Sequence, residues 1–194
     1  EEATDATDAM VGVRIHFDKG WQGRLTNAVD SGAEVIHLLA DLHGRDSDGT
    51  FVSVLFKEAH MLLIEQGRRD TVTLLGGGGI VGADHVPKAI ISGMDAVALD
   101  LPVLFAIQGR SRGSLKHRDK VRGKLPKKLD HDWAVQRLTN LCGSWRDQLL
   151  EILGAMGIRE VRRLRGEFGR SMIVKHLEDE AFEGILGYHG GEYA

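Results

Sequence analysis

The chain has 194 residues, the size of one domain, with 42% hydrophobic and 27% charged residues, as in an ordinary soluble globular protein. A net charge of −3 gives no general pull toward nucleic acid or an anionic membrane. The single cysteine, Cys142, excludes an internal disulfide framework and a cysteine-rich metal site, and no apolar run reaches membrane-spanning length.

In chain order, Glu1 to Ala9 is acidic, small and without apolar period, and reads as a mobile leader rather than a signal peptide. The expected compartment is the cytoplasm. Met10 to Phe17 is the first strand, Trp21 to Ser31 a short helix closed by Gly32, and Glu34 to Ala40 the second strand. Asp41 to Thr50 is a polar loop, and Phe51 to Gln66 has apolar residues at helical spacing before Gly67. Thr71 to Leu75 is the third strand, Ala83 to Ser92 the third helix and Ala96 to Leu101 the fourth strand. A helix follows from Pro102 to Gln108; proline is tolerated in a first helical turn.

Strand and helix alternate four times over residues 10–109, which predicts α/β architecture with parallel strands. Four units are half of a (β/α)8 TIM-type barrel, whose usual length is about 250 residues. An open, doubly wound sheet is the structural rival. Residues 110–130 are basic and nearly devoid of apolar side chains, which predicts an exposed loop with an anion- or partner-binding role as the sharper reading. Residues 131–194 form a helical extension. In it Ala134, Leu138, Leu141, Trp145, Leu149, Ile152 and Met156 recur at threes and fours up to Gly157. Cys142 is expected as a packed thiol, Val161 to Arg165 as a compact basic turn, and Phe182 to Leu186 as a final short anchor before a Gly- and Tyr-containing tail.

The most informative stretch is TVTLLGGGGI, Thr71 to Ile80, where an apolar run breaks into four glycines. Glycines at a parallel strand's carboxyl end let backbone N–H groups approach a phosphate without a Cβ in the way. Glycines kept only for a tight turn are the alternative.

Three segments together resemble the FMN-binding barrel domain of glutamate synthases: Val72 to Gln108, Gly32 to Gly44 (GAEVIHLLADLHG), and Trp133 to Leu177 around GSWRDQLLEILGAMGIREVRRLRGEFGRSM. The resemblance implies that the chain is the carboxyl-terminal half of such a barrel plus its helical extension. A half-barrel exposes two strand edges and one apolar face, so a second polypeptide or a second copy of the chain is expected to complete it. The resemblance also implies FMN as cofactor. Its phosphate would lie on Gly77, Gly78 and Gly79 with Asp100 and Leu101, and Arg14 would face the flavin's pyrimidine edge, a surface or ion-paired arginine being the alternative. Asp100 conflicts with that role unless its carboxylate points away, and Pro102 has no N–H to donate. The catalytic candidates are Arg14 and His43, the latter on the ligand-side loop with Asp41 and Gly44. His37, inside EVIHLLA, is expected as a packed core histidine, with a catalytic acid as the alternative, and His16, His60 and His85 have no metal-ligand spacing. Glutamate synthases commonly bind an iron–sulfur cluster through cysteines after the last barrel strand; here that interval has none.

The activity implied is hydride transfer from reduced flavin to an imine of 2-oxoglutarate, with ammonia supplied by another subunit. A non-catalytic half-barrel serving assembly, and a phosphate-binding barrel enzyme without flavin, are the alternatives.

Overall fold

A computed structural model describes Met10 and residues 12–168. The leader, the Phe182–Leu186 anchor and the tail lie outside the described residues. Four strands, β1 (Gly12–His16), β2 (Val35–Leu39), β3 (Thr73–Gly77) and β4 (Ala96–Ala98), are all parallel and lie in the order β1-β2-β3-β4. Between and after them run α1 (Trp21–Asp30), α2 (Val52–Glu65), α3 (His85–Ile91) and α4 (Leu101–Ala106). Each strand sits beside its sequence neighbour, with no reversal of strand order. A doubly wound sheet needs such a reversal, so the rival topology is out. The fold is four parallel β/α units, half the complement of an eight-unit barrel, followed by a helical extension.

One face of the sheet carries the helices. Ile15, Ile36, Leu38 and Leu74 point into a core with Trp21, Leu25 and Val29 of α1 and Leu55, Phe56, Ala59 and Leu63 of α2. Those helix residues recur every three or four positions, so each helix buries one stripe. Phe56 is completely buried, and its ring lies where a Cβ on Gly76 would stand, 2.7 Å from the nearest ring carbon.

All four strands differ from the expected bounds, β1 and β2 only by losing one or two residues at each end. β3 starts two residues later because Arg69–Thr71 forms a 3₁₀ turn, and it runs on into the glycines because Gly76 and Gly77 pair with Leu38 and Leu39 on one side and Val97 and Ala98 on the other. β4 is cut to three residues because the Asp100 carboxylate accepts from Leu101 N–H at 2.6 Å and starts α4 there.

The basic interval also corrects the expectation of a loop. Its ends pair as an antiparallel ribbon of β5 (Arg110–Arg112) and β6 (Arg122–Lys124), with a 3₁₀ turn at Arg118–Lys120 between them. α5 (His131–Ala155) follows, capped by the Asp130 carboxylate on the Trp133 N–H. Its apolar stripe is mostly half-buried, with Ala134 and Leu153 fully so. Cys142 is exposed, not packed: it follows Leu141 by one residue, about 100° around the helix from the stripe. The compact turn at Val161–Leu164 forms as expected. It buries Leu164 against Ile90, Ile91 and Leu153, a second small core that docks the extension on α3.

At the strands' amino ends lies a buried polar knot. Arg69 donates to His60 Nδ1, to the carbonyls of Val72 and Gly93, and to Asp95, while Arg165 bridges Asp95 and Asp70. In a barrel this end stabilises rather than catalyses. Burial, then the Arg69 and Arg165 charges, hold the His60 imidazole below its ordinary pKa. Burial and cations do the same to His16 and His37. The unfolded chain binds protons at these sites below about pH 6.5 while the folded chain does not. Stability is therefore expected to be flat above that value and to fall as pH drops below it, until the lowered native pKa values are passed. Melting temperatures measured between about pH 8 and pH 5 should descend on the acid side. His60→Asn, which keeps an acceptor for Arg69, should lessen the descent.

Candidate functional site

The face of the sheet away from the helices carries Arg14 and His16 of β1, His37 and Leu39 of β2, Leu75 and Gly77 of β3, and Ala96 and Ala98 of β4. The register sets these in two rows: Arg14–His37–Leu75–Ala96, and above it His16–Leu39–Gly77–Ala98 toward the carboxyl ends. In a closed barrel this face is the interior, and its upper row borders the ligand site.

Polar groups on this wall are short of partners. Arg14 is exposed and makes no hydrogen bond or ion pair with any described residue, whereas His37 Nε2 is buried without a hydrogen-bond partner among them. Burial first, then the charges of Arg14 and Arg118 and the nearby His16, push the His37 pKa down, with Asp100 opposing weakly. The ring is thus neutral at pH 7. Its sequence surroundings, apolar on either side, hid its orientation: in a strand, alternate residues take opposite faces, and 37 has the parity of the wall, not of the core.

The glycine run divides its tasks. Gly76 faces the helices and makes room for Phe56; Gly77 faces the wall, where a Cβ would stand 2.8 Å from His37 Nε2 and 2.7 Å from Leu39 Cδ1. Gly78 and Gly79 turn the chain with φ of +103° and +70°, and their Cβ positions are taken by the backbone of the loop after β2. The amides of Gly78, Gly79 and Ile80 donate to no acceptor among the described residues.

β3 and β4 are neighbours, so this turn and the Asp100–Leu101 turn lie at adjacent strand ends. Asp100 points back onto its own helix start. Its Oδ1 accepts from Leu101 N–H, and its Oδ2 is held at 2.7 Å by Arg118, whose Nε donates to the Ala40 carbonyl at 2.7 Å. The negative charge that conflicts with an anion is therefore neutralised by a residue of the basic segment. No motif or spacing pairs positions 100 and 118, which meet only because β5 and β6 fold back over the strand ends. The same fold-back brings Leu115 O to the Leu42 N–H.

Beneath residues 116–119 is a cavity of about 490 Å³, lined by His16, Leu39, Arg45 and Asp46 together with His117 and Arg118. His43 is exposed and does not line it. Asp41 braces its own loop by accepting from the amides of His43 and Arg45.

Comparison with known proteins gives consistent results. Residues 39–159 match the family model described as the conserved region in glutamate synthase. The chain is 31% identical over 155 residues to the archaeal glutamate synthase [NADPH] of Archaeoglobus fulgidus, covering 75% of this chain and 29% of that protein. It is 30% identical over 132 residues to that of Methanocaldococcus jannaschii, covering 65% and 26%. The chain thus spans under a third of the length of these relatives. Among solved structures, it resembles a flavocytochrome b2 variant with pyruvate bound (TM-score 0.56, 17% identity, 83% of this chain and 34% of the other). It also resembles a mandelate oxidase variant with a monooxide FMN adduct (TM-score 0.52, 24% identity, 82% and 41%). These likenesses concern the fold. With its family model matched over more than half of its residues, and with half a barrel of the matching architecture, the chain belongs to the glutamate synthase conserved-region family.

Proposed function

We propose that this chain is the carboxyl-terminal half of an FMN-dependent oxidoreductase barrel of glutamate-synthase type. The remaining strands come from a second polypeptide, a second copy, or sequence upstream in a longer protein. The supporting observation is the half-barrel itself: Arg14 and His37 Nε2, without hydrogen-bond partners among the described residues, lie on its open wall, and three consecutive amides without acceptors follow the carboxyl end of β3.

The residues fit the cofactor. Buried amides without acceptors are rare in folded proteins, and Gly78 and Ile80 are buried, so the Gly78–Ile80 run suits a phosphate. Asp100 would take no part in holding it, because its carboxylate is already engaged by Leu101 N–H and Arg118. Arg14 is placed to stabilise negative charge on the ring's pyrimidine edge, and neutral His37 to hydrogen-bond a polar ring atom. Leu39 and Leu75, on the same wall, keep water from the ring. When bound, FMN supplies the hydride chemistry, and the substrate we propose is an imine of 2-oxoglutarate, reduced to glutamate with ammonia delivered by another subunit. No helix of the described residues is long and apolar enough to cross a membrane, and the cytoplasm is the proposed compartment.

Native mass spectrometry and absorbance of the intact assembly test this reading. The expected result is a yellow species with stoichiometric FMN. In it, Arg14→Ala weakens flavin binding by about tenfold to a hundredfold, as expected for a charged hydrogen bond of about 1.5–3 kcal/mol. A complete barrel that stays colourless with excess FMN overturns it. One observation favours a second reading, an assembly subunit without catalysis: Asp100 already occupies the Leu101 N–H that an anion would use. A defined oligomer lacking flavin is its signature, and one retaining phosphate without flavin points to the phosphate-binding enzyme.

A further inference from the structure

The β5–β6 ribbon places like charges opposite one another. Its register sets Arg110 against Lys124 and Arg112 against Arg122, with Ser111 against Gly123 between them. Directly opposed residues share a face, so four cations project from one side of a two-stranded ribbon, all exposed. The other side rests on α4: a Cβ on Gly123 would lie 3.5 Å from Leu104. Opposed like charges destabilise a strand pair, and a lone two-stranded ribbon is marginal in water. The ribbon is therefore assembled against its own electrostatics.

Nothing among the described residues offsets this. Arg110, Arg112 and Lys124 make no hydrogen bond or ion pair with them, and Arg122 reaches only the carbonyls of Asp119 and Val121. Residues 110–130 hold nine Lys or Arg against two Asp, in a chain whose net charge is −3. The positive charge is thus concentrated here while the rest of the chain is acidic. A cavity of about 560 Å³ runs along the ribbon, lined by Arg110, Arg112, Lys124 and Lys127 with Leu125 and Pro126.

We propose that this ribbon is a docking surface for an acidic polypeptide segment of a partner protein, one presenting carboxylates in a row with an apolar side chain beside them. Successive cations on each strand stand two residues apart, about 7 Å, the spacing of alternate side chains on an extended acidic segment. Leu125, 49% exposed at the cavity edge, offers the apolar contact. A polypeptide suits these features better than a nucleic acid. Residues 107–130 contain no Phe, Tyr or Trp on which bases could stack, and the acidic remainder of the chain repels a polyphosphate backbone beyond the ribbon. Because Arg118 and Leu115 tie the ribbon's turn to the strand ends, a docked segment lies beside the mouth of the candidate site.

The test uses the full chain, a short labelled peptide alternating glutamate and leucine, and a single-stranded RNA oligonucleotide as competitor. Fluorescence anisotropy should detect peptide binding that weakens steeply with salt. Arg110→Glu should weaken it by tenfold or more, while the free protein's melting temperature stays level or rises, because a carboxylate at that position would face Lys124 as an opposite charge. A double change of the exposed Arg159 and Arg163 to glutamate should leave binding unaltered. Amide exchange within residues 110–124 should slow when peptide is added. The proposal is overturned if the peptide does not bind at low salt, if the distant double variant loses binding equally, if exchange is unchanged, or if RNA binds more tightly at the same residues.

Discussion

Replacing Arg69 with methionine is expected to lower the unfolding free energy by about 3–5 kcal/mol, the range for breaking a buried ion pair from one side. Arg69 is 4% exposed and donates to four groups from separate parts of the chain: His60 Nδ1 at 2.9 Å, Val72 O at 3.0 Å, Gly93 O at 2.7 Å and Asp95 Oδ2 at 2.8 Å. It therefore joins α2, the entry to β3 and the entry to β4. Methionine fills much of the volume but leaves two carbonyls and an imidazole without their donor. Asp95 keeps the Leu74 N–H and Arg165, which places the expected loss toward the lower end of the range. Burial pushes the Asp95 carboxyl up, but the Leu74 amide, Arg165 and Arg69 outweigh it and hold its pKa below the ordinary value. That contribution is complete above the unfolded carboxylate pKa of about 3.9 and is lost as pH falls through the lower native value. The Arg69→Met variant should accordingly show a smaller loss of stability on acidification through that window. Urea unfolding of the full chain measures both effects. A cost below about 1 kcal/mol would mean that the knot is dispensable for the fold.

The fold was readable because its signals are local. Short β-branched runs alternate with helical stripes, and each turn carries a glycine or aspartate where the backbone needs one. The barrel topology followed from alternation, and the strand order β1-β2-β3-β4 bears it out. Strand ends were less legible, because Gly76 and Gly77 look like a turn but are held extended by strands on both sides. The ribbon is illegible in the sequence for a related reason. Residues of low strand propensity, RSR and RGK, pair there through their fold-back on α4, which no local pattern announces. At the site, the glycine run is legible in the sequence itself and Arg14 only through the family resemblance, and both lie on strands of one half-barrel. The placements of His37 and Arg118 are set by the three-dimensional fold. The first depends on which face an apolar strand turns to the helices, the second on a contact across eighteen positions.

Replacing Gly78 with alanine should be the most damaging single methyl in the glycine run after β3, costing about 2–5 kcal/mol from backbone strain and overpacking together. Its φ of +103° lies well past the left-handed helical well that other residues enter at modest cost. The added Cβ would stand 2.6 Å from Asp41 O and 2.8 Å from Ala40 O, both main-chain atoms. Those atoms are not free to yield: Ala40 N–H donates to Gly77 O, Ala40 O accepts from Arg118, and Asp41 N–H donates to Arg45 O. Gly67 separates the two sources of cost. It also has positive φ, +66°, but no atom lies within 4 Å of its Cβ position, so Gly67→Ala should cost about 1–2 kcal/mol from conformation alone. The difference between the variants then measures how tightly the loop after β2 presses on the glycine turn. Because that loop anchors Arg118 and borders the cavity under it, Gly78→Ala should also abolish flavin retention by the assembled barrel, whereas Gly67→Ala, on the far end of α2, leaves it intact. Equal stability losses in the two variants would mean that Gly78 serves only the turn, and the free amides beside it would lose their claim to a ligand.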